Sequence, residues 1–308
     1  MKSTIRKVVR YLSREVQGTL PRNTPPTDLV LDHLLASQDM GSLNDAVAYV
    51  ADLRQCVEPL KCQVNLLKRP KGISNASEAA FVALTDLLKA SLPPVPVNLA
   101  MQFARIGDDY RGVSQVASRK DRAMDVRRHF TLSSSSGRKG RLLTAAVRAF
   151  EPRLVLELGT AYGISGFFIA NALKAGGHPG SRLVTVEAFE PQATLSRTLL
   201  QREFGDAVTC EFGLAGESLP RLAATMDHID FYFHDAGHTY DDYVNDVGVM
   251  LPKMSSGSVL FLDDIRWDDR RFIDKPSRAY EGWQAIVANP RTCAAAEIDD
   301  ELGVAVFS

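Results

Sequence analysis

The sequence predicts an α/β protein with a doubly wound, mostly parallel, seven-stranded sheet, a C-terminal antiparallel hairpin and a preceding helical N-terminal region. Three observations support this prediction. From about residue 150 onward, short β-rich runs alternate with helix-like segments, which is typical of βαβ units with helices on both sheet faces. The last two β-rich runs are joined by a short turn, which favours an antiparallel pair. The first 130 residues carry helical spacings instead.

The individual elements follow from this alternation. Five β-rich runs are predicted as strands, at 153–160, 182–189, 207–213, 228–236 and 257–265. Helices are predicted at 163–175, 191–204, 215–225 and 239–252. A further helix at 277–289 precedes the hairpin, whose strands are "TCAAAEID" and "VAVFS".

Helical patterns dominate the N-terminal region, 1–130. The stretch "NASEAAFVALTDLLKAS" begins with the cap-like residues Asn75 and Ser77 and predicts a helix. In 50–67 the apolar residues alternate at spacings of three and four, which indicates a helical bundle or a dimer seam interrupted at Pro59. We expect region 1–130 to act as a lid or as the contact of a homo-oligomer.

A basic amphipathic helix is predicted at 1–17. Its apolar face fits three interpretations: docking on the protein itself, contact with an anionic membrane surface, or a transit peptide. The sequence alone leaves these three alternatives open.

The composition excludes several classes of protein. There are 36 Lys and Arg residues against 37 Asp and Glu, so the net charge of −1 predicts no nucleic-acid partner. The apolar runs are too short to span a membrane, and no signal-peptide core begins the chain. The 4 cysteines form neither a CxxC pair nor a disulfide framework, which predicts reduced thiols and a cytoplasmic location.

The stretch "LVLELGTAYGISG", 154–166, predicts a ligand-binding turn. A strand that ends at Gly159 and a helix that opens after Gly163 place backbone N–H groups at the carboxyl edge of a parallel sheet. A P-loop would need a lysine here, and a dinucleotide fingerprint would need glycine at Ala161. A redox site would need a cysteine, and the turn has none.

Glu157 indicates the kind of ligand. A carboxylate within an apolar strand is costly unless it is paired, and a ligand ammonium group would pair it. Ser165, at the helix N-terminus, suits a ligand carboxylate, and Glu187, after the second strand, suits ribose hydroxyls. An amino acid joined to a nucleoside is S-adenosylmethionine. Alternatively, Glu157 pairs with a distant arginine and Glu187 faces water.

Segment 140–308 resembles class I S-adenosylmethionine-dependent methyltransferases. "LELGTAYGISG" is similar to the first motif of the catechol O-methyltransferase group. "FYFHDAGHTYDDYVNDV" followed by "LPKMSSGSVLFLDDIRW" resembles the subfamily that contains macrocin O-methyltransferase. The resemblance implies that 131–308 is a methyltransferase domain that binds S-adenosylmethionine.

The resemblance also implies roles for individual residues. Glu187 would bind the ribose, and Asp235 would lie beside the cofactor. Gly213 and Leu214 would lie near the adenine, although many relatives have a polar residue at the Leu214 position. The methionine part would be held by Glu157, Gly159, Tyr162, Gly163 and Ser165.

Three acidic residues are predicted to bind a metal. Asp235 ends the fourth strand, and Asp263 and Asp264 end the fifth, so neighbouring strands bring three carboxylates to one sheet edge. Carboxylate oxygens suit Mg²⁺, and the resemblance implies a metal at these positions. Alternatively, Asp235 caps the next helix and the Asp263–Asp264 pair is an acidic loop.

His238 is the candidate general base. It stands three residues after Asp235, where the resembling enzymes have a lysine or histidine base, and an imidazole can accept a hydroxyl proton near neutral pH. Alternatively, it is a turn residue before a capping box formed by Thr239 and Asp242. His234 is either a core residue or a support for the site. Four further residues either line the acceptor pocket or pack nearby: Tyr240, Tyr243, Arg266 and Trp267.

The predicted function is transfer of a methyl group from S-adenosylmethionine to a hydroxyl of a small-molecule acceptor, assisted by Mg²⁺. One alternative is a non-catalytic protein that binds S-adenosylmethionine and uses its helical region for a partner. Another is a metal-independent methyltransferase acting on a macromolecule, which the near-neutral charge disfavours.

Overall fold

The computed structural model describes residues 60–72, 74–92, 116–117, 123–124, 137–268 and 275–308. The chain forms two compact units, residues 1–60 with 92–142 and residues 61–91 with 143–308. The predicted helix at 1–17 and most of the 50–67 pattern lie outside the described residues. The division between residues 130 and 131 stays a prediction.

One mixed sheet organises the second unit. Its strands are β1 (Val64–Lys68), β4 (Leu154–Leu158), β5 (Arg182–Glu187), β6 (Val208–Phe212), β7 (Ile229–His234), β8 (Met254–Leu262), β9 (Thr292–Ile298) and β10 (Leu302–Phe307). They lie in the order β1-β9-β10-β8-β7-β4-β5-β6, and β4 to β8 are mutually parallel. The predicted C-terminal antiparallel hairpin is present as β9 and β10, and β10 also pairs antiparallel with β8.

The predicted helices of this sheet are also present. Within the described residues the helices are α1 (Asn75–Ala90), α2 (Gly137–Phe150), α3 (Ile164–Gly176), α4 (Glu190–Phe204), α5 (Ala215–Thr225), α6 (Tyr240–Met250) and α7 (Ala279–Ala288). Short 3₁₀ turns at Gly205–Ala207 and Leu251–Lys253 follow α4 and α6. The helix α1 is capped by Ser74, whose side chain accepts from the Ser77 N–H, rather than by Asn75 or Ser77.

The helical interpretation of 50–67 is wrong where the structure describes it, because Val64–Lys68 form β1. This strand pairs antiparallel with β9, with Val64 opposite Ile298. Among the residues that the structure describes, the sheet therefore has eight strands, one more than predicted. Partner strands supply backbone hydrogen bonds that a short local pattern cannot reveal, so tertiary pairing overrides the apparent helical spacing.

Helices cover both faces of the sheet. On one face, strand residues such as Leu156 and Leu260 share a hydrophobic core with residues of α5, α6 and α7, including Leu219, Tyr243 and Trp283. On the opposite face, Gly166 of α3 lies against Glu157, Leu183 and Leu200. The doubly wound arrangement is therefore confirmed.

The first unit is described only in part. Leu60 and Leu92 form an isolated antiparallel bridge, and two short strands, β2 (Val116–Ala117) and β3 (Ala123–Met124), pair with each other. Arg141 donates to the Leu92 carbonyl at 2.6 Å. In the part of the chain that the structure describes, no helix is long and apolar enough to cross a membrane.

Candidate active site

The turn after β4 is closed by backbone contacts. The Gly159 N–H donates to the Val186 carbonyl at 2.9 Å, and the Gly163 N–H donates to the Thr160 carbonyl at 2.8 Å. Gly159 has a φ of 96°, and a Cβ there would lie 1.9 Å from the Asp235 carbonyl oxygen. Only glycine combines this left-handed conformation with such a close approach.

Glu157 lies in β4 with no exposed surface. Thr185 of β5, its register partner, donates to Oε2 at 2.6 Å, whereas Oε1 has no hydrogen-bond partner among the described residues. Burial raises the pKa of the Glu157 carboxyl from 4.5 to about 7, and hydrogen bonds from Ser165 and Thr185 oppose this rise. The carboxylate is therefore poorly compensated, and no arginine pairs with it among the residues described.

Glu187, at the end of β5, holds the turn from the other side. Its Oε2 accepts from the Ala161 N–H at 2.7 Å and its Oε1 from the Phe189 N–H at 2.8 Å. The residue is only 7% exposed, so the alternative in which it faces water does not apply. Each carboxylate oxygen can accept a further hydrogen bond, which is what a ribose diol would need.

The other predicted cofactor residues surround this turn. Tyr162 and Ser165 are buried, and the Gly213 N–H donates to the Glu187 carbonyl at 3.0 Å, which ties the end of β6 to the end of β5. Leu214 is 56% exposed at the same edge. Its open apolar side chain is compatible with contact to a flat base.

Asp235, His238 and Asp264 meet at the ends of β7 and β8. The His238 Nε2 atom lies 3.9 Å from Asp235 Oδ1 and 3.6 Å from Asp264 Oδ2. The Trp267 ring lies beside the imidazole, with 5.6 Å between ring centroids. Asp263 is fully buried, and its N–H donates to the His234 carbonyl at 2.9 Å. The three predicted acidic residues and the predicted base thus share one neighbourhood.

The helix after β7 begins independently of Asp235. Its N-cap is Thr239, which forms a capping box with Asp242, as the sequence predicts. The alternative in which Asp235 caps this helix is therefore wrong. The capping box also leaves His238 just outside the helix, where its side chain is half-buried.

Tyr243 of α6 connects these groups. Its hydroxyl donates to the Asp263 carbonyl at 2.7 Å and approaches the Asp264 carbonyl at 3.1 Å, and His238 Nδ1 lies 3.3 Å from the same oxygen. Burial, followed by the charges of nearby aspartates, raises the pKa of the Tyr243 hydroxyl well above its ordinary value. The group is consequently a permanent hydroxyl donor at physiological pH.

The donor chemistry fits a hard divalent cation, although the side chains do not form a completed cage. All three acidic residues offer carboxylate oxygens, and Asp235 and Asp264 face the same imidazole nitrogen. Within the described ranges, no group of three or more His, Cys, Asp or Glu side chains is already arranged to hold a metal ion. Instead, the Asp235 and Asp264 carboxylates both lie beside His238.

The remaining candidates have structural contacts. His234 is fully buried, and its Nε2 lies 3.0 Å from Asp246 Oδ2, so it supports α6 from within the sheet.

Arg266 lies over the Tyr280 ring and donates to Glu297 Oε2 at 3.1 Å. Tyr240 packs under Arg278. Of the four acceptor-pocket candidates, Trp267 is the one that contacts His238 without being fully buried.

Two contributors to the site were missed in the sequence. Thr185 donates a hydrogen bond to the buried Glu157 carboxylate. The feature of the sequence that could have revealed it is a polar residue within the otherwise apolar run "RLVTVE". From the sequence, Tyr243 is predicted only to line the acceptor pocket or to pack nearby. Its link to two strand ends depends on the position of α6 over the sheet, which no local pattern encodes.

Comparisons with known proteins agree with this fold. Residues 156–265 match a protein family described as a methyltransferase domain. A probable O-methyltransferase of Mycobacterium tuberculosis is 34% identical over 137 residues, covering 42% of this chain and 56% of that protein. Catechol O-methyltransferase of Mus musculus is 29% identical over 173 residues, covering 53% of this chain and 59% of its own length.

A solved structure shows the same fold. An SAH-bound methyltransferase from Podospora anserina superimposes with a TM-score of 0.53 at 17% identity, covering 70% of this chain and 89% of that one. The predicted resemblance to class I S-adenosylmethionine-dependent O-methyltransferases is confirmed. The chain spans a little over half the length of the two curated relatives described above.

Proposed function

We propose that this protein transfers a methyl group from S-adenosylmethionine to a hydroxyl of a small-molecule acceptor. The observation that carries the proposal is the shared sheet edge. The turn that closes on Glu187 and the group formed by Asp235, His238 and Asp264 both lie at the carboxyl ends of parallel strands. Such edges are where open α/β sheets bind their ligands. The similarity to O-methyltransferases supports the same conclusion.

The chain's own residues divide the binding task. Glu187 suits the ribose hydroxyls, and Leu214 suits the adenine. The buried carboxyl of Glu157, with one oxygen lacking a described partner, suits a ligand ammonium group in its vicinity. The other proposed cofactor residues are Gly159, Tyr162, Gly163, Ser165, Gly213 and Asp235, which build the turn and its surroundings.

The proposed reaction is a direct displacement. The acceptor oxygen forms a bond to the methyl carbon, the carbon–sulfur bond breaks, and its electron pair stays on sulfur. His238 accepts the hydroxyl proton at Nε2, the nitrogen that faces Asp235 and Asp264. The charges of these two carboxylates stabilise the imidazolium that results.

Asp235, Asp263 and Asp264 would hold the proposed Mg²⁺. When bound, the ion would hold the acceptor oxygen and lower the pKa of the acceptor hydroxyl. The donor set supports this role because carboxylate oxygens are preferred Mg²⁺ ligands. We propose a complete metal site only together with a bound acceptor, which would contribute further oxygen ligands.

The test is turnover of methyl-labelled S-adenosylmethionine against a panel of hydroxylated small molecules. Each reaction is run with Mg²⁺ and after exhaustive chelation, and binding of S-adenosylhomocysteine is measured in parallel by calorimetry. Labelled product that requires Mg²⁺ would support both parts of the proposal.

The other outcomes separate the alternatives. Undiminished turnover after chelation would remove the metal and keep the methyl transfer. Cofactor binding without product from any acceptor class would favour a non-catalytic binding protein. Absence of binding at millimolar S-adenosylhomocysteine would overturn the proposal as a whole.

A further inference from the structure

Tyr243 has one hydroxyl proton and three polar neighbours. Two of these are the backbone carbonyls of Asp263 and Asp264, at 2.7 and 3.1 Å. The third is the Nδ1 atom of His238, at 3.3 Å. A carbonyl oxygen can only accept a hydrogen bond, so the hydroxyl proton is directed at the carbonyl pair.

This assignment determines which nitrogen of the His238 imidazole carries a hydrogen. Since the Tyr243 proton points to the carbonyls, its oxygen can only accept from His238, and Nδ1 must carry a hydrogen. A neutral imidazole has one N–H, so the acceptor lone pair of the neutral ring lies on Nε2. That nitrogen is the one nearest Asp235 and Asp264.

The tyrosine is packed into the core on the side away from His238. It has no exposed surface, and its ring meets the His234 ring edge-on at 5.3 Å between centroids. His234 is in turn bonded to Asp246, one helical turn beyond Tyr243 on α6. The capping box at Thr239 fixes the start of the same helix.

We infer that Tyr243 is a positioning residue for the methyl transfer: its hydroxyl selects the His238 tautomer with the lone pair on Nε2 and holds the Asp263–Asp264 backbone beside it. This inference rests on the proposed function. The tautomer itself, however, can be observed without an acceptor, a cofactor or a metal.

The first experiment is nitrogen-15 NMR of the full-length protein labelled at histidine, with His238 assigned by comparison with the His238→Ala variant. The spectrum is recorded at a pH where the His238 ring is neutral. We expect a protonated Nδ1 and an unprotonated Nε2. A wild-type ring protonated at Nε2 instead would overturn the inference, whatever the protein is found to catalyse.

The second experiment uses Tyr243→Phe, which removes the hydroxyl and keeps the ring. We expect a mixture of the two His238 tautomers, and a kcat about tenfold lower with little change in KM, because the base is misaligned in part of the molecules. Affinity for S-adenosylhomocysteine should stay unchanged, which a general disruption of the fold would not allow.

Tyr232→Phe is the matched control. Tyr232 is equally buried and shares the core with Tyr243, but its hydroxyl has no hydrogen-bond partner among the residues described. Its removal should leave both the tautomer and kcat unchanged. Equal effects of the two substitutions would contradict a specific role of Tyr243, as would a Tyr243→Phe variant with a wild-type tautomer and kcat.

Discussion

Glu157→Gln should change how the stability of the ligand-free protein depends on pH. Glutamine retains an oxygen that can accept from Thr185 but carries no charge at any pH. The wild-type carboxyl is fully buried, and its burial raises its pKa from 4.5 to about 7. The substitution therefore removes a carboxyl whose ionised form is disfavoured in the folded state.

The sign and size follow from linkage. A carboxyl whose pKa is higher in the folded state contributes stability that is fully present below pH 4.5 and is lost as the pH rises through about 7. One pKa unit corresponds to about 1.4 kcal/mol, so the shift is worth about 3 kcal/mol. The free energy of unfolding of Glu157→Gln, relative to wild type, should rise by that amount between pH 4.5 and 8.

The assay is urea denaturation of both proteins across this pH range, with Glu211→Gln as the control. Glu211 is a strand carboxylate that pairs with Arg221 at the surface, so its loss should change stability by less than about 1 kcal/mol. Parallel pH profiles for wild type and Glu157→Gln would refute the reasoning. If an ammonium group pairs with Glu157, saturating S-adenosylhomocysteine should flatten the wild-type profile.

Three further predictions concern other parts of the site. His238→Ala should lower kcat by about 10²–10⁴-fold without changing S-adenosylhomocysteine affinity. His228→Ala, at an exposed position, is the control and should have no effect. Loss of cofactor binding in His238→Ala would indicate that His238 has a structural role. Gly159→Ala should destabilise the protein and abolish cofactor binding because its Cβ would overlap the Asp235 carbonyl, and Gly248→Ala, with open space around it, is the control for melting temperature. Glu297→Ala should cost about 1–3 kcal/mol in denaturant unfolding because the buried Trp283 N–H loses its acceptor, while Asp300→Ala should cost under about 1 kcal/mol.

Strand ends were predictable from the sequence because parallel strands impose a simple rule. An acidic residue at the end of an apolar run must lie at the carboxyl edge of the sheet, so the neighbourhood of Asp235 and Asp264 followed from strand assignment. The capping box was also predictable, because Thr239 and Asp242 are only three residues apart in the sequence.

Contacts between distant elements were not predictable in this way. The strand β1 looks helical in isolation, and its pairing with β9 joins residues more than two hundred positions apart. The structure adds a partner of Glu157 that the sequence pattern did not predict, because its register neighbour Thr185 donates to Oε2. Local spacing carries no information about strand order, and strand order decides both contacts.

The order of the strands explains why one glycine affects both halves of the proposed site. The chain leaves β4 for β5 and β6, then returns to place β7 on the other side of β4. The proposed cofactor residues of the glycine turn, Glu187 and Gly213 follow the first group of strands, and Asp235 and His238 follow β7. At the junction, the Asp235 N–H donates to the Leu158 carbonyl at 2.8 Å, and Gly159 packs against the Asp235 carbonyl.

This backbone contact joins the two halves of the proposed site without an intervening side chain. A side chain at residue 159 would displace the start of this turn from Asp235, which lies three residues before His238. Methyl transfer depends on sub-ångström alignment of the donor with the acceptor oxygen. The glycine is therefore required by the proposed chemistry as well as by the turn, and a variant tolerated by the fold at this position should still lose turnover.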